Sequence, residues 1–151
     1  MKKLLLLFVA VSLSTYCFSQ DVEGTINSLN AEFIVHYEDL GAISDYWQIK
    51  YNSDNKVIVI TLYDKSSNNI ENTRTVDPKN ISSVSTQSNG LFGLNIKMIC
   101  NGKDIKFENK SGDVSYEGDL LFMLDGTDDE ITKMKSELVQ LFLGLGATLS
   151  E

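Results

Sequence analysis

The side chains in this sequence that could do acid–base, nucleophilic or metal chemistry are few. His36 is the only histidine among 151 residues. Any Ser/His or Cys/His nucleophile pair, and any metal site that uses imidazole, would have to include it. It lies between Phe33 and Tyr37 at the edge of an apolar helical face, where no partner or orienting carboxylate can be picked out. We interpret His36 as a histidine at the rim of a packed helix, and we predict a non-enzymatic protein without catalytic residues.

Cys100 ends an alternating apolar segment in which it faces the same way as Ile96 and Met98. That position is typical of a buried structural thiol. A free thiol that pairs with another chain is the alternative, because an odd cysteine in a secreted protein permits it.

An acidic run could offer calcium its oxygen ligands: Asp125, Asp128, Asp129 and Glu130. The spacing does not match an EF-hand loop, because a glycine comes second and Ser136 occupies the twelfth position. Thr127 and Glu130 instead have the spacing of a capping box, and the helix dipole favours acidic residues at that end of a helix. We therefore predict no metal site and no cofactor.

Three aromatic residues, Tyr46, Trp47 and Tyr51, could line a ligand cleft. Aromatic side chains on alternating strand positions more often fill a core. The sequence therefore identifies no ligand-binding residue.

The first residues have the pattern of a secretory signal peptide. Lys2 and Lys3 precede an apolar run from Leu4 to Leu13, and a more polar stretch follows from Ser14 to Gln20, with Cys17 and Ser19 spaced like the small residues before a cleavage site. The apolar run is shorter than the roughly 20 residues that span a bilayer. We predict cleavage after Ser19, a single domain over residues 20–151 with no integral membrane segment, and a secreted or periplasmic location.

Acylation of Cys17, which would make the protein a lipoprotein, is the alternative fate of this segment. Tyr16 disfavours it, because a small residue is preferred before the modified cysteine.

The chain is acidic, with 13 Lys+Arg against 21 Asp+Glu and a formal net charge of −8. Loss of Lys2 and Lys3 with the signal peptide leaves 11 basic residues against 21 acidic ones, a charge of −10. Such a balance opposes binding to nucleic acid or anionic lipid. Cleavage also leaves Cys100 as the only cysteine, so no intrachain disulfide can form.

Apolar spacing of three and four predicts a helix over residues 25–38, with the stripe Val22, Ile26, Leu29, Phe33, Tyr37 and Leu40. Thr25 is its predicted cap, and Asn27, Asn30, Glu32 and Glu38 form its solvated face. Strands follow at residues 47–51 and 57–63, joined as a hairpin, then at 71–76, 81–86, 94–100, 103–107 and 119–124. The segment at 71–76 is the weakest of these and has the composition of an edge strand.

Asn101-Gly102 predicts a type I′ turn between residues 94–100 and 103–107. A hairpin with this loop would place Met98 opposite Ile105 and Ile96 opposite Phe107. A second helix should begin after Thr127, with the apolar stripe Ile131, Met134, Leu138, Leu141, Phe142 and Leu145, and should stop at Gly144 or Gly146. The order of helix, about seven strands and a closing helix predicts an α+β fold with an antiparallel sheet, bent or partly rolled into an open barrel, and the last helix packed on it.

This pattern resembles the pleckstrin-homology-like superfold. The segment Thr75-Val76-Asp77-Pro78-Lys79-Asn80-Ile81-Ser82-Ser83-Val84 and the helix from Thr127 to Gly144 carry the likeness, which covers residues 43–145. The chain is also similar to small secreted proteins of Bacteroidetes-type bacteria, through its signal end Phe18-Ser19-Gln20. The first helix departs from the simplest form of the superfold, and residues 52–56 lack the basic cluster of its phosphoinositide binders.

The resemblance implies a binding scaffold and carries over no ligand. The sequence thus favours a secreted binding or interaction module that offers a sheet edge or a barrel end to a protein or small ligand. A small-ligand carrier with a pocket between the sheet and the C-terminal helix is the first alternative, and an enzyme with carboxylate chemistry is the second. The sequence identifies neither a partner nor an oligomeric state.

Overall fold

A computed structural model describes residues 22–34, 45–64, 66–88 and 94–150. Two helices flank a succession of antiparallel strands, which confirms the predicted α+β class. The helices are α1 (residues 22–34) and α2 (Asp128–Gly144). The strands are β1 (Asp45–Asn52), β2 (Val57–Asp64), β3 (Ile70–Val76), β4 (Ile81–Ser88), β5 (Leu94–Cys100), β6 (Ile105–Asn109), β7 (Val114–Glu117) and β8 (Asp119–Phe122), with a 3-10 turn at Pro78–Asn80.

The strands form two open sheets, ordered β1-β2-β3-β6-β7 and β4-β5-β8, and the described strands do not close a barrel. Three strands of the first sheet, in the order β3-β6-β7, correspond one by one to the strands of the second sheet, in the order β4-β5-β8. The strands of each corresponding pair are consecutive in the chain: β3 leads into β4, β5 into β6, and β7 into β8. The two sheets are therefore one antiparallel surface that bends where these three strand pairs change sheet. β1 and β2 do not continue past the bend, so β1 and β4 are both edge strands.

The Asn101-Gly102 segment is a corner of this bend, and the predicted β5–β6 hairpin is wrong. β5 pairs with β4 and β8, whereas β6 pairs with β3 and β7. At the corner the amide of Asn101 donates to the Asn80 carbonyl at 2.8 Å, and the amide of Cys100 donates to the Gly118 carbonyl at 2.8 Å. Gly102 has a φ of +94°, so the left-handed residue that favours a tight hairpin serves here to turn the strand.

One strand, β7, was not predicted. It pairs with β6 through a turn in which the Asn109 side chain accepts from the amides of Ser111 and Asp113, both at 2.9 Å. Gly112, with a φ of +84°, completes that turn. The described residues therefore contain eight strands, one more than the sequence predicted.

The weakest predicted strand, β3, lies at the centre of the five-stranded sheet and not at an edge. Its most polar residue, Arg74, stacks on the rings of Trp47 and Phe107, at 5.5 and 4.8 Å from their centroids. The Arg74 Nε also donates to a Glu117 carboxylate oxygen at 3.1 Å. A paired and stacked guanidinium is tolerated in a central strand, which composition alone did not indicate.

Helix α1 buries the predicted residues Ile26, Leu29 and Phe33. It already includes residue 22, so Thr25 lies inside the helix and the predicted cap is wrong. Residues 35–38 of the predicted helix lie outside the described residues. Phe33 stacks on Phe122 of β8 at 5.4 Å, which fixes the helix against the bent sheet.

Helix α2 has the predicted capping box. The Thr127 amide donates to the Glu130 carboxylate at 2.8 Å, and the Glu130 amide donates to the Thr127 hydroxyl at 3.4 Å. The buried stripe is as predicted apart from Leu145, which is half-buried: Ile131, Met134, Leu138, Leu141 and Phe142. The helix ends at the predicted Gly144 and packs on β4 and β5.

Candidate ligand cleft

A cleft of about 750 Å³ opens between α1 and the free edge of β1, and the end of α2 closes one side of it. Helix α1 contributes Val22, Glu23, Ile26, Asn27 and Asn30; β1 and its turn contribute Gln48, Ile49, Lys50, Tyr51 and Ser53; α2 contributes Gly144 and Leu145. The predicted alternative pocket lay between the sheet and the C-terminal helix. The cleft is instead bordered mainly by the N-terminal helix.

Asn30 connects α1 to β1 at one end of the cleft. Its side-chain oxygen accepts from the Ile49 amide at 2.7 Å, and its side-chain nitrogen donates to the Ile49 carbonyl at 2.9 Å. The prediction that Asn30 belongs to the solvated face is therefore wrong. Helical spacing did place it away from the apolar stripe, but the edge of a strand needs hydrogen bonds, and a carboxamide supplies one donor and one acceptor.

From Asn30 the lining residues continue toward the start of α1 and the end of β1. Along an antiparallel edge strand, alternate residues direct their N–H and C=O away from the sheet. Ile49 is such a residue, since it bonds Asn30, so Tyr51 two residues later directs its backbone groups the same way. Among the described residues the backbone edge is thus satisfied at Ile49 and open at Tyr51, inside the cleft.

The cleft walls carry polar side chains without partners among the described residues. The carboxylate of Glu23 and the ammonium of Lys50 form no ion pair there, and the carboxamide of Asn27 makes no hydrogen bond. Glu23, Asn27 and Lys50 are all exposed. Ile26 and Ile49 supply a buried apolar floor. This combination can bind an apolar group and orient it with a few polar contacts.

The sequence did not single out Glu23, Asn27, Asn30 or Lys50 as site residues. The only available signal was the spacing of Asn27 and Asn30, one turn apart on the same face of a helix. This spacing indicates a binding site only if β1 is already known to be the edge strand that the helix faces.

Of the three aromatic residues considered for a cleft, only Tyr51 lines it. Trp47 is 4% exposed and belongs to the core, where it meets Phe122 edge-on at 5.4 Å. Tyr46 stacks on Tyr63 at 5.2 Å, and its hydroxyl donates to the Asn68 side chain at 2.6 Å. The interpretation of aromatic residues as core is confirmed for Trp47.

Carboxylates gather at the opposite end of β1, away from the cleft. Asp45 and Asp64 face each other across the β1–β2 pair. Partial burial, Asp64 and Glu71 together raise the pKa of Asp45 above its usual value. Hydrogen bonds from Ser66 and Ser67 lower the pKa of Asp64, while Glu71 pairs with Lys110 at 2.8 Å. Within the described ranges, no group of three or more His, Cys, Asp or Glu side chains is placed to hold a metal ion.

Cys100 is buried, at 5% exposure, as the structural interpretation predicted. Burial, followed by the charge of Asp104, raises the pKa of its thiol to about 11. At neutral pH the group is a protonated thiol enclosed by the core, which disfavours pairing with another chain.

The remaining candidates of the sequence divide in two. Asp128, Asp129 and Glu130 occupy the first turn of α2, so the capping explanation of the acidic run is confirmed there. His36 and Cys17 lie outside the described residues.

Comparison with known proteins does not identify the chain. No family model, curated protein or solved structure matches the chain. No helix in the described segments is long and apolar enough to cross a membrane. The cleft is therefore the feature from which a function can be inferred.

Proposed function

We propose that this protein is a non-enzymatic binding module and that the cleft between α1 and β1 is its binding site. One observation carries the proposal: a cleft of about 750 Å³ combines an open backbone edge at Tyr51 with the unpartnered side chains of Glu23, Asn27 and Lys50. Ligand sites of proteins commonly enclose about 300–1,000 Å³ and pair an apolar lining with a few polar groups. The cleft has both properties.

The distribution of acidic groups supports binding over catalysis. The carboxylate chemistry of the enzymatic alternative needs two carboxylates within reach of one substrate. The Asp45–Asp64 pair lies at the other end of β1, and the cleft itself contains a single carboxylate, that of Glu23.

The proposed location is the periplasm or the extracellular space, after cleavage behind Ser19. The lysine pair, the short apolar run and the polar end of residues 1–19 support it. The likeness to the pleckstrin-homology-like superfold stays a hypothesis. A bent antiparallel sheet with a C-terminal helix supports it, whereas the order of eight strands and the N-terminal helix depart from it.

Native mass spectrometry on protein purified from the envelope of the cells that make it tests the proposal. We expect the wild type to carry a non-covalent mass that Asn27→Trp loses, because an indole at this exposed wall fills the cleft. Asn55→Trp is the matched control, since Asn55 is exposed in the β1–β2 turn outside the cleft. A wild type of bare mass, or an adduct that Asn27→Trp retains, would contradict the proposal.

The denatured mass of the same sample tests the location. A chain that begins at Gln20 is expected, and a lipid-bearing Cys17 would contradict cleavage after Ser19.

A further inference from the structure

We propose that the cleft binds short peptides with free termini, which extend along the edge of β1 as an added antiparallel strand. This inference rests on the proposed function, because it names the chemistry of the ligand that the same cleft would take.

The backbone edge favours a peptide over other ligands. An extended peptide presents an N–H and a C=O on one side at every second residue, which is the spacing of the outward groups of an edge strand. Tyr51 presents one such pair to the cleft. Asn30 shows that this edge accepts an amide, since its carboxamide already makes both bonds to Ile49 at 2.7 and 2.9 Å.

Asn27 supplies a second amide-binding group on the opposite wall. It lies one helical turn before Asn30, toward the start of α1, and it lines the cleft. Its carboxamide makes no hydrogen bond among the described residues. A strand between β1 and α1 would therefore meet Tyr51 on one side and Asn27 on the other.

The two unpaired charges indicate that both peptide termini are recognised. Lys50 follows Ile49 at the end of the lining where Asn30 lies, and Glu23 is in the first turns of α1 at the other end. A carboxylate near Lys50 and an ammonium near Glu23 complement these charges. A peptide in that orientation runs opposite to β1, so the charges and the antiparallel pairing agree.

The extent of the edge sets the length of the ligand. Beyond Ile49, which is bonded to Asn30, the cleft follows four residues from Lys50 to Ser53, of which all but Asn52 line it. At about 3.3 Å per residue this is a span of roughly 10 Å, which fits a peptide of about four residues paired through Tyr51.

Affinity selection with an equimolar pool of tetrapeptides tests the inference, with free termini in one pool and acetylated, amidated termini in the other. We expect selective retention of free-terminus peptides and a chemical-shift change at the Tyr51 amide. Glu23→Gln and Lys50→Gln should each weaken binding of the selected peptides by about tenfold, since each removes one charge-assisted contact. The controls Asp54→Asn and Lys56→Gln remove the same charges from exposed turn residues outside the cleft and should leave binding unchanged.

Other outcomes separate this inference from the proposed function. Equal retention of both pools, or no effect of Glu23→Gln and Lys50→Gln, would overturn the recognition of free termini. If neither pool perturbs Tyr51 while an envelope-derived adduct still depends on Asn27, the peptide inference is wrong and the binding module stands. If no adduct is found either, both are wrong.

Discussion

The two edge strands on one side of the bent sheet, β1 and β4, are covered in different ways. At β4 the tail after α2 covers the edge at Ser82: the amide and the hydroxyl of Ser150 both donate to the Ser82 carbonyl, at 2.8 and 3.0 Å. A register shift between Ile81 and Ser83 distorts the same place. At β1 the cover among the described residues is one carboxamide, that of Asn30, and none of them bonds the edge at Tyr51.

The β4 edge is protected from association at Ser82, whereas the β1 edge is available to a ligand at Tyr51. Unpaired strand edges promote association, and proteins usually cover, distort or charge them. β4 is both covered and distorted around Ser82. β1 stays regular at Tyr51, next to a cleft with unpaired charges. We infer that α1 holds the β1 edge at a distance, so that a ligand can enter between the helix and the strand.

Loss of the Asn30 contacts should have the largest effect. Asn30→Ala removes two hydrogen bonds and leaves the part-buried amide and carbonyl of Ile49 without that partner, at a cost of about 2–4 kcal/mol in the free energy of unfolding. Chemical denaturation measures this value. Asn27→Ala, on the same helix face but without hydrogen bonds, should cost less than about 0.5 kcal/mol. Equal losses of stability would contradict the different roles of Asn30, which is bonded to β1, and Asn27, which is not.

Removal of the tail tests the sealed edge. A chain that ends at Gly146 loses the buried Ala147, the half-buried Leu149 and both Ser150 bonds, which should cost about 1–3 kcal/mol. Thermal unfolding measures the loss. If truncation changes neither stability nor self-association, the tail does not seal β4.

The start of β1 responds to pH. The pKa of Asp45 is raised, so the folded state binds this proton more readily than the unfolded chain, and the contribution of Asp45 to stability increases as the pH falls toward 3.8. Asp45→Asn should therefore stabilise the protein at pH 7, by about 0.5 kcal/mol for an exposed like-charge pair. The gain should disappear below pH 3.8.

Asp64 provides the opposite sign. Its lowered pKa gives a stabilisation that is present above pH 3.8 and lost as the pH falls through the folded value. Asp64→Asn should be less stable than the wild type at pH 7, in contrast to Asp45→Asn. The same sign for both variants in denaturation at pH 7 would contradict the assignment.

Ser150→Ala should cost only about 0.5 kcal/mol, because the backbone amide at position 150 still donates to the Ser82 carbonyl. A loss as large as that of the truncated chain would show that the hydroxyl alone holds the tail.

Local signals predicted the parts of this fold that local interactions determine. Thr127 and Glu130 satisfy each other within one turn, so the start of α2 could be predicted from spacing alone. Alternation also identified the buried side chains Ile96, Met98 and Ile105 correctly. It could not identify their partners, because Asn101-Gly102 fits a corner between two sheets as well as a hairpin.

The candidate site could not be predicted from the sequence, because the partners of its residues also depend on the tertiary structure. Asn30 has the polarity of a solvated helix face, and only the position of the β1 edge gives it a partner. The unpaired state of Glu23 and Lys50 is likewise a property of the packed structure. Tertiary context decided each of these cases, whereas periodicity decided which residues form the core.

Amide hydrogen exchange at Ile49 and Tyr51, measured by NMR with and without the free-terminus tetrapeptide pool, tests the central claim most directly. The Ile49 amide is bonded to Asn30 and should exchange slowly in both samples. The Tyr51 amide should exchange quickly in the free protein and slowly in the presence of the peptides. Protection of Tyr51 in the free protein, or unchanged exchange with peptide, would contradict an open, peptide-binding edge.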